Sequence, residues 1–209
     1  AQKIRLLMLN TVDLPFSPRP DGTLKYYTIN DHGFSKAQLE FVAHTALDFS
    51  ELPGWGLLAV SHMSLGFLPN GEIMVKLLNA FRTGRSYRSS AADVKECPFR
   101  FDRHPCFPSP ADPADLVHTV EADFTRQGPR DFIAHLYGHE HFDEVRTGRG
   151  FTEISFLSSL CYHLNETFAP KREFGTESED AWSMVSIDRA ARRIKVFRRG
   201  AGEDFSAAY

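Results

Sequence analysis

The chain has 209 residues, 42% of them hydrophobic and 24% charged, an ordinary globular composition with enough apolar mass for a real core. A net charge of −3 with scattered basic residues argues against a dedicated nucleic-acid surface. No apolar run approaches the ~20 residues that cross a bilayer, and no signal-like segment opens the chain, so membrane anchorage is not expected and a cytoplasmic location is the default.

Taken in order, Ile4–Leu9 reads as a strand, followed by a loop rich in Pro and Gly through Asp21-Gly22. Because this strand begins by residue 4, the chain reads as starting in the middle of a larger fold. Phe34–Leu47 has helical spacing, with Ser35 as N-cap and Gln38 three residues on; Leu39, Val42, Ala43 and Ala46 make one apolar stripe. Pro53-Gly54 breaks the chain before Gly56–Val60, a short strand that delivers Ser61-His62 at its end, and Glu72–Phe81 is a second amphipathic helix. From Arg82 to Pro113 the pattern dissolves, with five prolines between Pro98 and Pro113, as in a functional loop, an insertion or a disordered stretch. Asp102-x-His104 lies there, a weak metal candidate with no strand leading into it. The cysteines Cys97, Cys106 and Cys161 match no zinc ribbon and read as buried or incidental thiols.

Phe132–Tyr137 is the most apolar strand, and it runs into Gly138, His139, Glu140 and His141. Thr152–Leu157, Ala181–Ile187 and Arg193–Arg198 are further strands, the last two joined at hairpin length by Asp188–Arg192. The expected fold is α/β: one domain over residues 1–209 with a mixed, mostly β sheet, flanking helices and an irregular insertion around 82–113.

In extended chain His139 and His141 would point to the same side, about 6.6 Å apart. Two neutral imidazoles at that offset suit one metal or a pair of metals, although the bland reading is a strand end with two solvated histidines. His62, His139 and His141 each lie just beyond an apolar run, where a sheet presents side chains to a crevice, so together they make a candidate metal cradle. His44 is expected on a helix surface, His135 is expected as a satisfied core group, and His32, His118 and His163 have no evident partner. No G-x-S-x-G elbow or phosphate-binding glycine loop occurs. Gly200-Ala201-Gly202 reads as a turn, and Glu177, Glu179 and Asp180 as a solvated loop.

S-H-M-S at Ser61–Ser64 and G-H-E-H at Gly138–His141, with Asp143 beyond, resemble the last two metal-binding motifs of the calcineurin-like metallophosphoesterases. The flanks agree: I-R-L-L-M-L-N resembles the strand opening the second half of that fold, F-S-K-A-Q-L-E-F the helix before the histidine strand, and Trp182–Asp204 the terminal hairpin of bacterial members. The resemblance implies a β-sandwich flanked by helices in which two divalent ions (Mn, Fe or Zn) activate water against a phosphoester. By that resemblance His62 and His139 would bind one metal and His141 the other, with Asp143 supporting them.

The family's earlier motifs, D-x-H, G-D-x-x-D and G-N-H-[DE], do not occur, and they carry the bridging aspartate and the histidine that assists the leaving group. Three neutral imidazoles hold two close dications poorly. The chain is therefore expected to be the C-terminal part of such a hydrolase, inactive in isolation and completed by an N-terminal half; the two divalent ions belong to the intact enzyme, and this part alone need hold none. A sheet lacking its partner would expose an apolar face, so a partner chain or a homodimer is also expected. Two other readings stay open: a non-catalytic interaction module that binds through its open sheet face, and a structural single-zinc site built from the same three histidines.

Overall fold

Alternating and continuous apolar runs become strands in a computed structural model that describes residues 3–26, 31–95, 112–159 and 169–209. In chain order the elements are β1 (Ile4–Leu9), α1 (Lys36–Phe41), β2 (Gly56–Ser61), α2 (Gly71–Thr83), β3 (Ser86–Arg88), α3 (Pro113–Leu116) and β4 (Glu121–Asp123). They continue with β5 (Asp131–Tyr137), β6 (Glu144–Arg146), β7 (Glu153–Ser155), β8 (Ala181–Asp188), β9 (Arg193–Gly200) and β10 (Phe205–Ala208). Strands outnumber helices, and the main sheet is mixed, as the coarse α/β expectation requires. Among the described residues no helix is long and apolar enough to cross a membrane.

The chain forms two compact units: one is built from Ala1–Lys3, Leu9–Trp55 and Leu65–Asp131, the other from Ile4–Met8, Gly56–Ser64 and Phe132–Tyr209.

The second unit holds a five-stranded sheet in the order β1-β2-β5-β7-β6 and a three-stranded sheet in the order β10-β9-β8. β5 and β7 run parallel, with Leu136 opposite Ile154 and His135 opposite Glu153, and β6 is antiparallel to β7. The period of two sorts these strands into faces. Leu58, Ala134, Leu136 and Ile154 share one core with Ile194, Val196 and Ala207 of the smaller sheet, and Val60, Val185, Ile187 and Phe205 pack at its margin. His135, Tyr137, Glu153 and Ser155 lie on the other face of β5 and β7, all of them buried.

The terminal hairpin forms where the β-branched positions and Asp188–Arg192 place it, with Val185 opposite Val196. Asp188 accepts the Ala191 N–H inside the turn, and Arg192 takes a left-handed φ of 49°. Gly200 and Gly202 turn the chain into β10 at φ 86° and 90°.

In the first unit the Ser35 hydroxyl accepts the Gln38 N–H at 3.1 Å, so the cap lies where the sequence puts it. Gln38 does not close the capping box. Its side chain accepts from the Asn10 N–H and donates to the Asn10 carbonyl and Asp13, while Ser35 donates to Asp13. The helix expected over Phe34–Leu47 is α only as far as Phe41 and then widens to a π turn over Val42–Ala46. His44 lies on that turn, exposed and 3.0 Å from Glu40, on the helix surface as expected. α2 is amphipathic and ends at Gly84 in the left-handed conformation, a C-cap that glycine adopts without strain.

Of the segment 82–113, the described residues 82–95 and 112–113 hold regular structure. α2 reaches Thr83, β3 pairs with β4, and a turn at Ala91–Asp93 carries a capping box. Buried Asp93 organises this stretch, accepting from Lys76, the Ser90 N–H and the Tyr87 hydroxyl. Asp102, His104, Cys97, Cys106, Cys161 and His163 fall outside the described residues.

Candidate metal centre

β2 and β5 are neighbours in the sheet, so their C-terminal extensions bring His62 and Gly138 together. The Gly138 N–H donates to the His62 carbonyl at 3.0 Å. This backbone bond fixes the approach of the two histidine-bearing segments independently of side-chain chemistry. Gly138 does not supply a left-handed turn, and a Cβ there would meet the His62 carbonyl at an ordinary 3.8 Å. The turn is made by the histidines: His139 has φ 68° and His141 φ 61°.

That geometry corrects the extended H-x-H reading. β5 stops at Tyr137, and the two histidines sit in a tight loop in which the Glu140 N–H reaches the Gly138 carbonyl at 2.8 Å. Left-handed backbone is uncommon for a residue with a Cβ, though histidine is among the types that visit it more readily.

The side chains converge nevertheless. His139 Nδ1 lies 3.2 Å from His62 Nε2, with ring centroids 5.1 Å apart and planes at 80°. Desolvation lowers the pKa of His139, and the His62 and His141 rings lower it further. His141 is lowered by desolvation, then by His62 and Arg172. His139 and His141 are therefore biased toward the neutral form that carries a free lone pair.

Asp143 faces other partners. Its carboxylate accepts from Arg198 on β9 and from the Leu157 N–H at 3.1 Å, so it ties this loop to the hairpin sheet. Glu140, between the two histidines, is gripped by Arg146 of β6 through both guanidinium nitrogens at 3.2 Å each. Arg146 also pairs with Glu144 at 2.5 Å.

Beside His62 lies a buried chain of polar groups. His135 is fully buried, with Nε2 2.7 Å from the Ser61 hydroxyl and Nδ1 3.1 Å from Glu153. Ser61 donates to the Met63 carbonyl, and Arg149 reaches both Glu153 and Ser64 at 3.4 Å. His135 is thus the satisfied core group that its position inside a strand implied. The sequence reading did not find Ser61, Glu153, Arg149, Glu140 or Arg146. Two signals were available: Ser61 precedes His62 directly, and Glu140 is the residue enclosed by the two histidines.

Among the described residues no group of three or more His, Cys, Asp or Glu side chains is gathered closely enough to hold a metal ion. The structure brings together a histidine pair with a third histidine in its field. Comparison of the chain with models of known families, with known proteins and with solved structures finds no match.

Proposed function

We propose that His62, His139 and His141 are metal ligands and that this end of the sheet belongs to a metal-dependent phosphoester hydrolase, a phosphatase or phosphodiesterase. The observation that carries the reading is the 3.2 Å separation of His139 Nδ1 and His62 Nε2. Two nitrogens bound to one tetrahedral ion at 2.0–2.1 Å lie about 3.3 Å apart. The donor set fits a borderline divalent ion such as Zn, Fe or Mn at this pair, with coordination positions left over for other ligands.

A bound divalent ion would lower the pKa of a water and neutralise charge on a phosphoryl group. The chain's own residues have narrower tasks. His62 and His139 present two ring nitrogens from two different strand ends, and His141 would supply a third at a neighbouring position. A bridging carboxylate for a second ion is the missing part among the described residues, since Asp143 is engaged with Arg198. In this proposal it comes from elsewhere, an N-terminal half of the enzyme or a partner chain, and hydrolysis requires that completion.

The test is metal content of the purified chain together with turnover of an aryl phosphodiester in added Mn²⁺. Metal bound through the histidine pair without turnover fits the incomplete site. Two metals and turnover would mean that the carboxylates are already present in the chain.

A second reading is favoured by the outer face of the hairpin sheet, where Trp182, Met184 and Phe197 are exposed at 61%, 58% and 41%. Met184 and Phe197 are direct cross-strand partners, so the three form one apolar stripe. A module that binds a partner or a second copy through this stripe would keep its affinity in His139→Ala, whereas the hydrolase would lose its metal.

A further inference from the structure

The loop that carries His139 and His141 holds two non-glycine residues at positive φ within three positions. Such a conformation persists only where the surroundings over-determine it. Backbone bonds at Gly138 and Glu140 fix the loop's entry. The residue enclosed by the histidines, Glu140, points inward, with a side chain only 7% exposed. Both its oxygens are taken by the Arg146 guanidinium at 3.2 Å each, the planar two-point fork that a lysine ammonium does not reproduce. Arg146 is in turn fixed: it lies in β6, opposite Glu153 of β7, and its guanidinium also holds Glu144.

We propose that Glu140 and Arg146 are positioning residues, a clamp that holds the His139–His141 loop in its left-handed conformation and so aims the His139 nitrogen at His62. This rests on the reading of His62 and His139 as metal ligands, but the clamp's effect on the loop stands apart from any metal. Side chains that orient ligands without touching the metal typically change metal affinity 10–100-fold when removed. Glu140 contributes through the conformation of its own backbone neighbours and Arg146 through Glu140. Glu144 keeps Arg146 paired when Glu140 is changed, so Glu140→Ala leaves no isolated cation beneath the loop.

The experiment uses the full chain, labelled for NMR, in wild type, Glu140→Gln, Glu140→Ala and Arg146→Ala. Two readouts are taken: the strong intraresidue amide–Hα contact that marks positive φ at His139 and His141, recorded without metal, and the affinity for Zn²⁺ by titration. The clamp predicts that Glu140→Ala and Arg146→Ala lose the positive-φ signature and bind Zn²⁺ about 10-fold more weakly while remaining folded, with Arg146→Ala the less stable of the two because it leaves Glu140 without its guanidinium. Glu140→Gln, which keeps one acceptor for Arg146, should fall between. Should Arg146→Ala fail to fold, the two Glu140 variants carry the comparison. Retention of the signature in Glu140→Ala overturns the clamp, and loss of the signature with Zn²⁺ affinity unchanged overturns its role in aiming His139. If the wild type binds no Zn²⁺, the metal reading fails, and the metal-free signature alone decides whether the clamp exists.

Discussion

At the scale of single residues, the buried polar groups of the second unit decide more than the exposed ones. His135 sits at zero exposure between Ser61 and Glu153, and Glu153 is itself only 1% exposed. Replacing His135 by Ala removes one of Glu153's partners and leaves Ser61 facing a cavity. A buried charged group deprived of a partner costs several kcal/mol, and Arg149 remains to offset part of this. The expected loss for His135→Ala is about 2–4 kcal/mol in urea unfolding. A loss below about 0.5 kcal/mol, the level of an ordinary surface substitution, would remove the network from the account.

Asp93 gives the first unit a pH dependence. Burial pulls its pKa up, but the bonds from Lys76, the Ser90 N–H and Tyr87 outweigh burial and leave it below its ordinary 3.8. A depressed carboxylate contributes stability that is fully present above the unfolded-state value and lost as pH falls through the folded-state value. The stability of the first unit should therefore hold down to about pH 4 and decline below it. Asp93→Asn should be less stable at neutral pH and show a shallower acid decline, followed by hydrogen exchange at the Ala91–Asp93 turn. Parallel acid profiles for the two proteins would contradict the assignment.

At the scale of elements, α2 shows how one glycine ends a helix and admits its neighbour. Gly84 has φ 63°, and a Cβ there would lie 2.5 Å from backbone atoms of Gly128 and Pro129. Gly22, at φ 82°, has nothing within 4 Å of the same atom. Gly22→Ala should thus cost conformational strain alone, about 1 kcal/mol, and Gly84→Ala strain plus the clash, about 2 kcal/mol or more. Equal shifts in the urea midpoint would show that the Gly128-Pro129 backbone yields freely.

The same scale shows which elements were legible. β1, β2, β5, β8 and β9 were readable because each has four or more apolar or alternating positions. β3, β4 and β6 were not, since strands of three mostly polar residues carry no period. Thr152–Leu157 was recognised as a strand but shortens to Glu153–Ser155. The cap at Ser35 was readable from local spacing, whereas the π turn after Phe41 left no local mark. In the site, the position of His62 and His139 just beyond apolar runs was legible, and their approach comes from the adjacency of β2 and β5, which the sequence does not show. The left-handed loop was not legible, because spacing alone suggested extended chain at His139 and His141. Asp143 is the other lesson: its partner Arg198 is 55 positions away, a contact that spacing cannot reveal.

At the scale of the whole molecule, the second unit buries one apolar layer between its two sheets and leaves another in the open. Trp182, Met184 and Phe197 face outward from the hairpin sheet, and Leu6 and Met8 of β1 are exposed at 56% and 75% on a strand at the end of the larger sheet. The proposed association through exposed sheet predicts a concentration-dependent dimer in sedimentation, shifted toward monomer by Met184→Lys. A monomer at every concentration with no partner captured on that face would leave these side chains as isolated surface residues.

The claim at the centre of the account is that the nitrogens of His62 and His139 converge to hold a metal ion. Its most direct test is calorimetric titration of the full chain with Zn²⁺, in wild type, His62→Ala, His139→Ala and the surface control His44→Ala. The account predicts saturable binding in the wild type and in His44→Ala, abolished or weakened at least about 100-fold by either of the other two substitutions. Binding that survives both of them, or no binding in the wild type, would contradict it.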